Sequence, residues 1–334
     1  MDGNRISQGL YPAPSRRNLV PHPVWGGARR GMGWPRRRIL ALLGILFACG
    51  AGLGPVRAET TLRWKFPPAA TWKYVFQQKG RTETTGAGKP TVVVVDMSLH
   101  LTWSVESVDD AGVATLTQSI DKLTLTMEVD EQPAVSYDSS ARTPTSGAPK
   151  EIANAVAGIV GAKCSVKMNT RGEVLAVEPS EALRERLAQS PGNELFSAEG
   201  LARMLRQATI PLPDMPLADG TSWKGTHESP SPLGQLVLAT QYTFRGTEER
   251  EGRPVATIVS ETDIALTPAT GDASRSTQWQ EGKQSGTLDF DVERGRFVAS
   301  RFEQRIVTQR PYREMLIRVQ STTSSSMQML AASP

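Results

Sequence analysis

The fold is decided by residues 93–105, which read VVVDMSLHLTWSV. Every odd position of this stretch is apolar, and from Asp96 onward every even position is polar. A two-residue period sustained over 13 residues predicts one long β-strand with an apolar face and a polar face. A sheet built from such strands has to cover its apolar face with helices, another sheet or a ligand.

Strand patterns lie on both sides of this stretch. Alternating aromatic residues at 72–76 predict a shorter strand before it, and the Asp-Asp-Ala-Gly sequence at 109–112 predicts a turn after it. In the strand that follows, the apolar positions are even up to Ile120 and odd from Leu123 onward. This change of phase predicts a β-bulge or corner near Asp121.

The middle of the chain is predicted to be partly helical. Residues 138–150 read as a flexible connection. Three short helices are expected after it, one at 152–160 and two that begin after Ser180 and Ser197, with a hairpin at 164–177 between the first two. Strand patterns return after Gly220, whereas the Ser/Thr-rich residues 321–334 have no period and are expected to be a disordered tail.

We therefore expect an α+β, mainly antiparallel β protein, with two curved β-meander sheets and about three short helices between them. The first meander is assigned to residues 59–137, the linker, helices and hairpin to 138–220, and the second meander to 221–320. Short sequences recur in both parts, since Thr-Trp-Lys at 71–73 resembles Ser-Trp-Lys at 222–224, and Arg-Gly recurs at 171–172 and 294–295. An internal duplication explains this recurrence, and the shared composition of β-meanders is the alternative explanation.

The N-terminal residues carry the pattern of an export signal. Three arginines at 36–38 precede an uncharged run at 39–56, and small residues at 56 and 58 favour cleavage between Ala58 and Glu59. A signal peptide is therefore predicted over residues 32–58. Residues 1–31 precede a second plausible start at Met32, and we expect them to be disordered.

Alternatives to this cleaved signal stay open. Residues 39–56 could remain as a membrane anchor, Cys49 could be lipidated, and residues 36–40 loosely match a twin-arginine signal. In each case the body is expected outside the cytoplasm, in the periplasm, at the cell surface or in the medium.

The charge distribution argues against a nucleic-acid partner. Of the formal charge of +4, residues 1–58 contribute +8, so residues 59–334 carry −4. Binding to nucleic acid needs a concentrated basic face, which a body of this charge does not predict.

Candidate catalytic groups are sparse in the predicted body. It holds two histidines, His100 and His227, and one cysteine, Cys164. His227 lies in residues 226–230, which read as a Pro-rich loop. A triad of His227 with Ser229 or Ser231 lacks the nucleophile elbow of known hydrolases, and clustered metal ligands are missing from the sequence. We therefore predict no catalytic residue, no metal and no cofactor, and retain a hydrolase only as a third hypothesis.

Four segments resemble a family of exported bacterial proteins without an assigned function: Trp103–Leu123, Val166–Val174, Phe196–Lys224 and Ser231–Leu238. The resemblance covers residues 62–308 and implies a signal peptide and a β-rich body. It supplies no catalytic residues. The order of strands, helices and strands is also similar to the open half-barrels of periplasmic lipoprotein carriers, a likeness of architecture that does not determine function.

Two binding hypotheses follow from these patterns. The first is an exported, non-catalytic envelope protein that holds a hydrophobic or lipid-like ligand between its curved sheets. The second is a structural module whose apolar faces pack on each other and whose partners are other envelope proteins. For the first hypothesis, the expected ligand-lining residues are Trp72, Met97, Leu99, Leu101 and Trp103.

Overall fold

The structure, a computed structural model, describes residues 59–331 apart from positions 87, 143, 145, 157–159, 162, 189–208, 232–233 and 269–276. This part of the chain forms twelve β-strands and two α-helices. The mainly antiparallel β class predicted from the sequence is confirmed. The strands are β1 (Thr71–Thr85), β2 (Thr91–Val108), β3 (Ala114–Val129), β4 (Val135–Asp138), β5 (Lys163–Met168), β6 (Val174–Pro179), β7 (Ser222–Ser231), β8 (Gly234–Arg250), β9 (Arg253–Pro268), β10 (Gln278–Asp291), β11 (Arg296–Tyr312) and β12 (Met315–Met329).

All twelve strands belong to a single sheet, so the prediction of two separate sheets is wrong. The strand order is β6-β5-β3-β2-β1-β12-β11-β10-β9-β8-β7, and β4 pairs with β3 beside this path. Strands β1–β6 form one half and β7–β12 the other. The halves join because Tyr74–Thr85 of β1 pair antiparallel with Arg318–Met329 of β12, a pairing that we call the seam.

The alternating stretch at 93–105 forms a strand, as its two-residue period predicts. Residues 93–105 lie within β2, which pairs with β1 on one side and β3 on the other. The pairing with β3 shifts between His100 and Leu101, whose partners are Lys122 and Ile120, so Asp121 is the extra residue of a bulge. The predicted bulge is therefore confirmed, and it keeps the apolar residues of β3 on one face.

Two helices are found among the described residues. They are α1 (Gly147–Val156) and α2 (Glu181–Ala188). At the start of α2 the Ser180 hydroxyl accepts a hydrogen bond from the Leu183 amide at 3.4 Å, the arrangement of an N-cap. The third predicted helix, after Ser197, lies outside the described residues, as do the predicted signal peptide, the possible anchor and Cys49.

Two sequence interpretations need correction. Residues 321–329 were expected in a disordered tail, but they lie in β12 and complete the seam. Their backbone pairing with β1 and β11 does not depend on an apolar period, so the Ser/Thr-rich sequence concealed it. The segment around His227, interpreted as a Pro-rich loop, forms β7, an edge strand in the described sheet, and prolines are tolerated at a sheet edge because one side of such a strand needs no partner.

The main hydrophobic core lies on the apolar face of the sheet and joins the two halves. Its strand residues include Trp72 and Leu116 from the first half, and Phe244 and Phe290 from the second. Two irregular segments cover these side chains, one before β1 and one before β7. Their buried residues are Leu62, Trp64, Phe66, Ile210, Leu212 and Leu217.

A second, smaller core lies under the helices. Val156 of α1 and Leu183 of α2 pack with Leu123 of β3 and Cys164 of β5. The helices therefore cover the apolar face near β3 and β5. No helix in the described part of the chain is long and apolar enough to span a bilayer.

The segment before β1 is held by one turn from each half. The Trp64 amide donates to the Thr170 carbonyl at 2.7 Å in the β5–β6 turn, and the Lys65 amide donates to the Gly295 carbonyl at 3.0 Å in the β10–β11 turn. The Trp64 ring also contacts the Phe297 ring, with 5.5 Å between centroids. These are the two Arg-Gly turns that recur in the sequence, and both contact the same short segment.

Candidate functional site

Three of the five predicted ligand-lining residues contribute to the main core. Trp72 is buried, and the Arg296 guanidinium lies 5.0 Å above its ring. Leu101 and Trp103 are partly buried and pack against the same core. These three side chains therefore share one core with the buried residues of the irregular segments.

The other two predicted residues lie further along β2. Leu99 packs against the smaller core under the helices. Met97 is half-buried and belongs to neither of the two cores of described residues. The structure therefore divides the predicted set, and Met97 marks the place where the described core packing ends.

Beyond Met97 the apolar face continues as a strip of five side chains. We call Val93, Val95, Met97, Met127 and Val129 the apolar strip. In the pairing of β2 with β3, Val93 is opposite Val129 and Val95 is opposite Met127, so these side chains are direct neighbours. All five are half-buried, and none is part of either core among the described residues.

Small and polar residues border the apolar strip on the β1 side. Gly80 pairs with Val95, and Thr82 pairs with Val93. Across the seam, Thr323 is opposite Gly80 and Ser321 is opposite Thr82. A Cβ added at Gly80 would meet no neighbour closer than the Thr323 hydroxyl at 3.8 Å, so the surface above Gly80 has room. The apolar face thus changes from aliphatic on β2 and β3 to hydroxyl-bearing at the seam.

Described residues of the opposite, polar face line two shallow cavities. The larger, of about 610 Å³, crosses β7–β12, and its charged lining includes Lys224, Glu261 and Glu303. Two ion pairs lie within it, Lys283 with Asp263, and Arg305 with Glu281 at 3.1 Å. The smaller, of about 350 Å³, shares Glu303 and adds Lys79, Asp96 and Arg301. None of the predicted ligand-lining residues lines either cavity, because those residues belong to the other face.

The two histidines do not come together. His100 lies on β2 and His227 on β7, and six strands separate them in the sheet order. Burial lowers the pKa of His227 below its usual value. The hydroxyl of Ser231, a candidate triad partner, donates to the Gly234 carbonyl at 2.9 Å. Among the residues that the structure describes, no group of three His, Cys, Asp or Glu side chains could hold a metal ion.

Sequence reasoning missed a buried polar group at the β10–β11 turn. The Asp291 carboxylate is fully buried, and its Oδ1 accepts a hydrogen bond from the Arg294 amide at 2.7 Å. Nearby, the Tyr74 hydroxyl donates to the Phe297 carbonyl at 3.0 Å, and burial raises the pKa of Tyr74 far above its usual value. These bonds fix the turn that holds the segment before β1. In the sequence, this group is indicated by Asp291 itself, an acidic residue at the end of a strand and next to a turn.

Residues 111–296 match a protein family of unknown function, DUF6263. The chain belongs to this family. The resemblance to a family without an assigned function is therefore confirmed, and more than half of this DUF6263 chain is matched. No curated protein matches the sequence.

Two solved structures are similar to the DUF6263 chain. One is lipovitellin, from a study of its lipid–protein interactions, with a TM-score of 0.43 and 11% identity; the match covers 81% of this chain and 26% of lipovitellin. The other is DynF from the dynemicin biosynthesis pathway of Micromonospora chersina, with a TM-score of 0.20 and 9% identity; the match covers 83% of this chain and 89% of DynF. This chain thus spans about a quarter of the lipovitellin chain.

Proposed function

We propose that this protein is an exported, non-catalytic envelope protein that binds a hydrophobic or lipid-like ligand on the apolar face of its sheet. The observation that carries the proposal is the apolar strip, five adjacent aliphatic side chains that are partly exposed beside a well-packed core. Export is inferred from the sequence of residues 32–58.

The energetics favour a ligand over bare exposure. Removing apolar surface from water is worth about 25 cal/mol per Å², so an acyl chain laid along the apolar strip gains several kcal/mol from a few hundred Å². The border of Gly80, Thr82, Ser321 and Thr323 supplies hydroxyl groups and open space beside the aliphatic residues. This arrangement fits an amphipathic ligand, with its chain on the strip and its polar end at the seam.

A pair of adjacent valines provides the test. Val95→Glu places a carboxylate in the apolar strip, while Val94→Glu makes the same change on the opposite face of β2, next to Arg81. We expect Val95→Glu to weaken binding of a fluorescent fatty-acid probe at least tenfold, about 1.4 kcal/mol, because an unpaired charge must be desolvated. Val94→Glu is expected to bind the probe like the wild type. Native mass spectrometry of the exported protein should also show a copurified lipid in the wild type and in Val94→Glu.

The competing function is a structural or protein-interaction module. It is favoured by Trp72, Leu101 and Trp103, which are used in core packing. If the wild-type protein carries no lipid and binds no probe, the ligand proposal is wrong. In that case Val95→Glu should instead lower the free energy of unfolding in chemical denaturation, since the strip would then serve as packing surface.

A further inference from the structure

The hairpin between β11 and β12 extends beyond its neighbouring strands. The seam ends where Thr85 pairs with Arg318, and the pairing of β10 with β11 begins where Gln278 meets Gln309. Residues 310–317 therefore pair only with each other among the described strands, as Arg310 with Ile317 and Tyr312 with Met315. We call residues 310–317, together with the adjoining Arg318 at the end of the seam, the projecting hairpin.

The projecting hairpin exposes large apolar side chains at its tip. Tyr312 is 49% exposed and Leu316 is 52% exposed, and the flanking Met315 and Ile317 are half-buried. Tyr312 lies opposite Met315, while Leu316 lies opposite Pro311 on the other face of the ribbon. A two-stranded ribbon cannot cover both of its own faces, so this apolar surface is available to a partner.

Arginines surround this apolar tip. Arg310, Arg313 and Arg318 are exposed, and Glu314 is the only acid in the projecting hairpin. None of the three arginines forms an ion pair with a described residue, and the Arg313 guanidinium lies 5.5 Å from the centre of the Tyr312 ring. The local charge is thus +2, on a body whose net charge is −4.

We propose that the projecting hairpin docks the protein on a membrane surface that contains anionic lipid. Tyrosine favours the interface between lipid headgroups and acyl chains, and Leu316 adds apolar area on the other face of the ribbon. Arginine pairs with lipid phosphates and is attracted by the negative surface potential. The net charge of +2 at this tip is complementary to an anionic bilayer surface.

The position of the hairpin agrees with this partner. The apolar strip reaches the end of the sheet from which the hairpin projects. Thr82 of β1 pairs with Val93 of β2 on one side and with Ser321 of β12 on the other, and Ser321 is three residues from Arg318. Docking would bring that end of the strip next to the bilayer. The docking proposal stands apart from the ligand proposal, since it rests on the exposure and charge of the hairpin alone.

Cosedimentation with vesicles tests the proposal. The full exported chain is mixed with vesicles of pure phosphatidylglycerol or of pure phosphatidylcholine, at low and high salt. We expect binding to phosphatidylglycerol vesicles, weaker binding at high salt, and much weaker binding to phosphatidylcholine.

Two hairpin variants separate the apolar and charge contributions. Tyr312→Ser with Leu316→Ser is expected to bind phosphatidylglycerol vesicles about tenfold more weakly, since the inserted apolar area is lost. Arg310→Gln with Arg313→Asn and Arg318→Gln is expected to bind roughly a hundredfold more weakly. Asparagine is chosen at position 313 because the backbone there has a φ of 53°, a conformation that asparagine tolerates.

Leu175→Ser is the matched control, because Leu175 is 53% exposed but lies on the edge strand β6. It should bind vesicles like the wild type. The two hairpin variants should bind the fluorescent fatty-acid probe like the wild type, which keeps failure of the two proposals distinguishable. The docking proposal is overturned if the wild type does not sediment with phosphatidylglycerol, which would leave the hairpin as a contact for a protein partner. It is also overturned if the hairpin variants bind like the wild type, or if Leu175→Ser loses binding to the same extent.

Discussion

Gly295 illustrates how single residues hold the two halves of this molecule together. It lies in the β10–β11 turn with a φ of 63°, and its carbonyl accepts the Lys65 amide. A Cβ at this position would lie 2.6 Å from both the Arg63 carbonyl oxygen and the Lys65 amide nitrogen. These are backbone atoms of the segment before β1, so they cannot rotate away as a side chain could. Only glycine permits this approach.

We predict that Gly295→Ala destabilises the protein by about 2–4 kcal/mol, because left-handed strain adds to a clash with the backbone. Gly252→Ala is the control, since Gly252 has a φ of 70° but nothing within 4 Å of its Cβ position. That change should cost only about 1 kcal/mol from strain. Equal melting temperatures of the two variants would show that residues 63–65 are not held tightly at this turn.

At the scale of elements, β12 decides how the sheet is connected. It carries the Ser/Thr-rich stretch 321–326, yet it pairs with β1 on one side and β11 on the other. Only its last residues, including Met327 and Met329, pack against the main core. The strand is therefore held largely by backbone hydrogen bonds to both neighbours, and its side chains give little sign of this role.

Removing residues 321–334 is therefore expected to destabilise the protein by roughly 5 kcal/mol or more, the scale of the total stability of many domains. Both β1 and β11 would lose their partner along most of the seam, and two unpaired edges would be exposed. Removing only residues 331–334 should leave the melting temperature unchanged. Thermal melts followed by circular dichroism compare the two truncations, and similar melts would support a disordered tail after all.

At the scale of the whole molecule, the two β-meanders act as one sheet with a common core. Through the seam, strand pairing runs without a break from β6 at one edge of the sheet to β7 at the other. All described residues fall within one compact unit, 55–334. Trp72 from one half and Phe290 from the other share the main core, and the Trp64 segment contacts a turn from each half. Neither half can open without exposing the apolar surface of the other.

We therefore predict that residues 59–334 unfold in a single cooperative transition. In differential scanning calorimetry, the calorimetric enthalpy should equal the van't Hoff enthalpy. Two transitions, each lost separately on mutation of one half, would contradict a shared core and would instead support two independent meanders.

Short sequence patterns account for the local structure of this protein. The alternation at 93–105 predicted β2, the change of phase between Ile120 and Leu123 predicted the bulge at Asp121, and Ser180 predicted the start of α2. Each of these features depends on neighbours within a few residues, so a local pattern carries it.

The way in which these pieces combine depends on contacts between residues far apart in the chain. The sequence could not show that β1 pairs with β12, because that pairing joins residues near opposite ends of the body through backbone groups that every residue possesses. For the same reason it could not separate Trp72, which packs in the main core, from Met97, which belongs to neither core of described residues. Apolar alternation identifies the face on which a side chain lies, but the segments that cover Trp72 and leave Met97 half-exposed come from elsewhere in the chain.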